Sequence, residues 1–67
     1  MYILKTEGTG KVPDHIQIRD DDFFLLAYFK VSAPRTALKR INLDNKTKEI
    51  LEFAAGLEYG KIRKLEL

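Results

Sequence analysis

The sequence predicts an α+β domain in which a small antiparallel sheet of about four strands, connected as a meander, packs against one C-terminal amphipathic helix. Three observations support this fold class. Residues 15–19 alternate between polar and apolar side chains, residues 23–29 form an unbroken apolar run, and residues 50–57 carry apolar side chains at helical spacing. A period of two is typical of a strand, and apolar residues at i, i+3, i+4 and i+7 are typical of a helix.

The length and composition indicate one small domain without covalent cross-links. The chain has 67 residues and no cysteine, so we expect a single domain over residues 1–67. Disulfides and thiolate metal sites are excluded. A domain of this size buries only about 60% of the surface that its unfolded chain exposes, and it commonly relies on a well-filled core or on self-association.

Residues 1–6 and 15–19 are the first two predicted strands. Tyrosine, isoleucine and threonine in the first segment suit a pleated surface, and the loop between the segments contains glycines and Pro13. In the second segment Ile16 and Ile18 point to one face, and polar side chains point to the other.

The apolar run over residues 23–31 is compatible with two structures. As a strand it has one wholly apolar face, formed by Phe23, Leu25, Ala27, Phe29 and Val31. Its other face grades from apolar to polar through Phe24, Leu26, Tyr28, Lys30 and Ser32. As a helix it has aspartates before its start, a lysine near its end and a proline just beyond it. We favour the strand, because residues 15–19 offer a hairpin partner and the run is rich in aromatic residues.

The second half of the chain contains a fourth predicted strand and then the helix. Residues 37–43 (ALKRINL) alternate in a way that suits an edge strand. The helix is predicted to begin at Asp44 or Asn45, either of which can cap its first turn, and Gly60 is a plausible C-terminal cap. Its apolar stripe consists of Ile50, Phe53, Ala54 and Leu57, widened by Leu51. Residues 61–67 remain open between a short strand, a helical turn and a frayed end.

No catalytic, cofactor-binding or metal-binding residues are predicted. Three consecutive aspartates (residues 20–22) lack the spacing of a calcium loop, and adjacent strand residues point to opposite faces. His15 is the only histidine, and its neighbours on the strand face are polar. Residues 8–11 (GTGK) end like a phosphate loop, but valine and proline follow instead of a helix. We therefore expect a protein that is not an enzyme.

The basic residues of the C-terminal half form the one constellation that suggests a ligand. Residues 1–33 carry a net charge of −1 and residues 34–67 a net charge of +3. The candidate partner-binding or nucleic-acid-binding residues are Arg35, Lys39, Arg40, Lys46, Lys48, Phe24 and Tyr28. Cations for phosphates and flat rings for stacking are how proteins hold single-stranded nucleic acid. An ordinary solvated surface has the same composition. Nucleic-acid binding is therefore the alternative function and not the leading one.

The leading functional hypothesis is a small, non-enzymatic interaction or regulatory module. One helix cannot cover both faces of the sheet. If the second face, with Tyr2, Phe24, Leu26 and Tyr28 as its candidate residues, is exposed, we expect it to contact a partner. We expect that partner to be a second copy, giving a homodimer, or another protein. The longest apolar run has seven residues, against about 20 for a membrane helix. With no cysteine and no visible secretory signal, we expect a cytoplasmic protein.

Overall fold

An antiparallel sheet with helices on one face forms the fold in the computed structural model, which describes residues 1–66. The elements in chain order are β1 (Tyr2–Thr6), β2 (His15–Arg19), β3 (Leu25–Lys30), α1 (Arg35–Arg40), a 3₁₀ helix (Asp44–Lys46), α2 (Thr47–Ala55) and β4 (Arg63–Lys64). The predicted α+β class is confirmed, and so is the strand interpretation of the apolar run.

The four strands lie in the order β3-β2-β1-β4. The first three form the predicted meander, with β2 antiparallel to both neighbours. The fourth comes from the end of the chain, where Tyr2 pairs with Lys64 and the amide of Leu65 donates to the carbonyl of Met1. The predicted tail, residues 61–67, thus contributes a two-residue strand, and Leu67 lies outside the described residues.

The core lies between the sheet and the two α-helices. Residues that face each other across antiparallel strands share a face, and the register opposes Ile3 with Ile18 and Ile16 with Phe29. The buried cluster comprises Ile3, Ile16, Ile18, Ala27, Phe29, Leu38, Ile50, Ala54 and Leu65. Because this cluster includes buried residues from both α-helices, both of them cover the same face of the sheet, and the other face is left open.

Residues 37–43 are not a strand, so the prediction for this segment is wrong. Residues 35–40 form α1, in which Leu38 is fully buried. The helix ends at Arg40 with Ile41 as its C-cap, and the next residue, Asn42, has a φ of 60°. The amide of Asn42 donates to the carbonyl of Lys39, and that of Leu43 donates to the carbonyl of Leu38. These two bonds form a Schellman motif, which local alternation does not reveal.

The C-terminal helix is shorter than predicted, and its cap is different. It begins with the 3₁₀ turn, and no side chain caps it. Instead the Thr47 hydroxyl donates to the carbonyl of Asp44 at 2.6 Å. The helix ends at Ala55, and its C-terminal cap is Gly56 rather than Gly60. Gly60 lies in a later turn, where its amide donates to the carbonyl of Lys5.

The predicted stripe of α2 is only partly buried. Ile50 and Ala54 are buried in the core, and Leu51 and Leu57 pack against it. Phe53, in contrast, remains 42% exposed.

Candidate interaction surface

The face of the sheet opposite the helices is open and partly aromatic. Its central row opposes Leu4, Gln17 and Tyr28 across three strands. The ring of Tyr28 stacks on His15, with centroids 4.9 Å apart and planes inclined by 15°. Tyr28 is nevertheless 53% exposed, so this ring is accessible on the open face.

A β-bulge in β3 changes which apolar residues reach this face. Ala27 opposes Ile18, but Leu25 rather than Leu26 opposes Arg19. One extra residue therefore lies in β3 at this point, which is how a bulge re-aims side chains. The predicted faces are wrong before the bulge: Leu25 lies on the open face with Arg19, not on the core face.

The turn before β3 is held by Asp20 and ends in exposed aromatic residues. Asp20 Oδ1 accepts hydrogen bonds of 2.9 Å from the amides of both Asp22 and Phe24. Phe23 has a φ of 71°, a left-handed conformation that is rare for a bulky residue. Phe24 is 69% exposed. The turn therefore presents an apolar ring beside carboxylates.

The three aspartates have separate roles. Asp20 builds the turn, and Asp21 accepts a 2.7 Å hydrogen bond from the N-terminal ammonium, which lowers the pKa of this carboxyl group. Asp22 forms no ion pair with any described residue. Within residues 1–66, no group of three or more potential ligand side chains is placed to hold a metal ion.

The outer edge of β3 is the free edge of the sheet. The amide of Val31 donates to the carbonyl of Asp14 at 3.0 Å. In an antiparallel ladder, residues whose backbone groups point to the neighbouring strand alternate with residues whose backbone groups point away from it. Since Val31 bonds towards the β2 side, Phe29, two residues earlier, also directs its backbone groups to β2. The N–H and C=O groups of Tyr28 and Lys30 consequently point away from the sheet. No strand within residues 1–66 pairs with them.

The opposite edge of the sheet is protected in a way that β3 is not. That edge is β4, which has two residues, both basic and exposed. Short length and charge are the usual means of preventing stray strand pairing. The six residues of β3 include one charged side chain, Lys30, at the end of the strand. Of the two edges, β3 is the one suited to accept another strand.

A groove lies on the helix side of the fold, just after the end of β3. It has a volume of about 670 Å³. Its apolar lining includes Val31, Pro34, Leu51 and Ala55, and its cations are Arg35 and Lys48. One carboxylate, Glu52, also lines it. Neither cation forms an ion pair with any residue in the described part of the chain.

The structure brings some of the predicted basic residues together and separates them from Tyr28. Arg35 lies beside Lys48 in the groove and beside Lys39 in a neighbouring concavity. Lys46 is engaged with Glu49 at 3.6 Å. Arg40 is exposed at the end of α1. These residues are on the helix layer, whereas Tyr28 is on the open face and Phe24 is in the turn.

The glycine-rich loop and His15 have structural contacts. The amide of Gly8 donates to Asp14 Oδ1 at 2.8 Å, so it is not free to bind a phosphate. His15 Nδ1 lies 2.9 Å from the carbonyl of Pro13. Sequence reasoning missed the groove altogether, because its lining comes from α1, α2 and the end of β3, which are brought together only by folding.

Comparisons with protein-family models, with curated proteins and with solved structures find no match to this chain. None of the helices within residues 1–66 has the length and apolar character needed to cross a bilayer.

Proposed function

We propose that this protein is a non-enzymatic interaction module that self-associates by pairing the β3 strands of two copies edge to edge. The observation that supports this function best is the free edge of β3, where the backbone groups of Tyr28 and Lys30 point outwards. An exposed apolar edge is a template for another strand. Antiparallel pairing around a two-fold axis satisfies these groups in both copies and closes the assembly as a dimer.

A register centred on Tyr28 suits the two-fold axis. Residues opposed in an antiparallel pair point their backbone groups either both towards each other or both away, so outward-facing Tyr28 can oppose the partner's Tyr28. Lys30 then opposes the partner's Leu26, and the two lysines are kept apart. Like charges directly opposite each other are destabilising across strands.

Sedimentation velocity over a wide concentration range tests self-association, and two matched variants locate it. Tyr28→Lys places like charges beside the axis at the free edge, so we expect it to shift the protein to monomer. Gln17→Lys adds the same charge in the same cross-strand row but on the central strand, so the dimer should persist. If Gln17→Lys is the variant that dissociates the dimer, the interface is the open face. A wild-type monomer at millimolar concentration rules out the proposal.

Disulfide trapping tests the register, because the chain has no native cysteine. Opposed residues in a hydrogen-bonded antiparallel pair have Cα atoms about 5.5 Å apart, within the range that a disulfide spans. We expect Tyr28→Cys to form a covalent dimer under mild oxidation. Lys64→Cys, at the other edge of the sheet, is the control: it should still self-associate through β3, but it should form no covalent dimer.

A second candidate function is nucleic-acid binding by the helix layer, and one observation favours it. Arg35 and Lys39, one helical turn apart, line the same concavity together with Asp44, and neither cation has an ion-pair partner among residues 1–66. Titration with labelled single-stranded and double-stranded oligonucleotides at low salt tests this function. Lys39→Ala should weaken binding and reduce its salt dependence by about one phosphate contact. Lys46→Ala, which removes a cation already engaged with Glu49, is the control. Absence of binding at low salt excludes this candidate.

A further inference from the structure

We propose that each copy's turn before β3 docks into its partner's groove, with Phe24 on the apolar lining and Asp22 beside Arg35. This inference rests on the proposed self-association through β3. It assigns an occupant to the groove between α1, α2 and the end of β3: the turn of a second copy of this chain.

Antiparallel pairing brings these two features together. The turn immediately precedes β3, and the groove begins at Val31, immediately after β3. When two β3 strands run antiparallel, the start of one lies beside the end of the other. In the register centred on Tyr28, Phe24 falls opposite the partner's Ser32, between the partner's Val31 and Pro34. The two-fold symmetry of the dimer then repeats this contact, once in each copy.

The chemistry of the turn complements that of the groove. Among residues 1–66, Phe24 is the most exposed of the large apolar side chains, and the groove offers it an apolar lining. Asp22 has no ion-pair partner among the described residues, and the same is true of Arg35 and Lys48. An acidic turn with an apolar ring therefore meets a groove whose lining combines apolar side chains with two cations and one carboxylate, Glu52.

The strand pair by itself offers little interface. A strand of six residues is about 20 Å long, and its edge is narrow, whereas specific interfaces commonly bury about 1,200 Å² or more in total. Contacts outside the strands are needed. The left-handed conformation of Phe23 is also costly for a bulky residue. It directs the chain so that Phe24 projects from the start of β3.

A charge-reversal cycle measured by sedimentation equilibrium tests the docking. Asp22→Lys and Arg35→Glu should each raise the dimer dissociation constant by about tenfold, and the double variant should recover most of that loss. Glu7→Lys and Arg40→Glu are the controls, because they change the net charge equally but lie outside the turn and the groove. Phe24→Ala should also weaken the dimer by about tenfold or more. Circular dichroism verifies that each variant is folded.

The outcomes separate this inference from the proposed function. If the protein dimerises and Tyr28→Cys cross-links, but the dissociation constant is insensitive to Asp22, Arg35 and Phe24, the docking is wrong and strand pairing stands. If both single reversals weaken the dimer without recovery in the double variant, the specific pairing is wrong. If the wild-type protein is monomeric throughout, both proposals fail.

Discussion

The hydroxyl of Tyr59 donates a hydrogen bond of 2.7 Å to Asp14 Oδ2, across 45 positions of the sequence. The other carboxylate oxygen accepts from the amide of Gly8, and the ammonium of Lys5 lies 4.8 Å from the centre of the Tyr59 ring. Asp14 thus joins the loop between β1 and β2 to the segment that leads from α2 to β4. In a chain without disulfides, these contacts hold the returning segment against the sheet.

The first prediction concerns the acid stability that Asp14 provides. The hydrogen bond from the Gly8 amide, followed by that from Tyr59, lowers the pKa of Asp14 below its ordinary value of 3.8. A lowered pKa means that the unfolded chain binds more protons, so this contribution is present above 3.8 and is lost as the pH falls through the folded-state pKa. Asp14→Asn should therefore be less stable than wild type near neutral pH, with the difference shrinking in acid. Urea unfolding at several pH values measures it, and a constant difference contradicts the prediction.

The second prediction concerns the alkaline side of the same contact. The hydrogen bond to Asp14 raises the pKa of Tyr59 above 10.0. A raised pKa gives stability that is present below 10.0 and is lost as the pH rises through the folded-state pKa. Phenolate absorbance should show one of the three tyrosines titrating late, and Tyr59→Phe should remove that late component. Tyr28→Phe is the control and should leave it in place.

The third prediction is that Gly8 cannot accept a side chain. A Cβ atom built on Gly8 lies 1.9 Å from the carbonyl oxygen of Val12, which is backbone and cannot move aside without shifting the loop. We expect Gly8→Ala to destabilise the fold by about 2 kcal/mol. Gly56→Ala is the matched control, because the closest atom to its Cβ is 3.8 Å away and it should stabilise the protein by about 0.5 kcal/mol. Thermal unfolding of both variants measures the contrast, and equal effects contradict the prediction.

The hairpin of β2 and β3 could be predicted because residues 15–19 alternate clearly, whereas α1 could not. Residues 15–19 match only the period of a strand, and their hairpin partner follows directly. The segment ALKRINL satisfies two periods: alternate residues give a mixed face, and Leu38, Ile41 and Ala37 also group on one side of a helix. What decides between them is the burial of Leu38 against the sheet and the Schellman motif at Asn42, both of which depend on the fold.

For the candidate surface, the sequence indicated an apolar strand but not the position of that strand in the sheet. The apolar surplus of residues 23–31 favours a strand and leaves open whether one of its sides is uncovered; the structure shows Tyr28 exposed on that side. Whether that strand lies at an edge depends on the strand order, which a short terminal strand completes. The bulge that turns Leu25 to the open face follows from the conformation of the turn, and the side-chain alternation contains no sign of it.

The fourth prediction distinguishes the observed helix α1 from the strand first predicted there. Leu38 is fully buried, so Leu38→Ala should cost about 2–5 kcal/mol. Thr36→Ala, an exposed position on the same helix, should change the stability by less than about 0.5 kcal/mol. Chemical denaturation gives both values. In a strand over residues 37–43, Leu38 would share its face with Arg40 and Asn42, and Leu38→Ala would lower the stability only slightly. A loss of stability below about 1 kcal/mol therefore contradicts the helix packing.

The last prediction separates the three aspartates before β3. Asp20 Oδ1 accepts from two backbone amides, so Asp20→Ala should destabilise the monomer by about 1–2 kcal/mol. The Asp22 carboxylate accepts no hydrogen bond from any described residue. Asp22→Ala should therefore leave the stability of the monomer within about 0.5 kcal/mol of wild type. Unfolding is measured at high dilution, so that self-association does not contribute. Asp20→Asn tests the cause: its side-chain carbonyl can still accept from the amides, and it should retain most of the stability that Asp20→Ala loses. An equal loss in Asp20→Asn and Asp20→Ala would contradict this account of the turn.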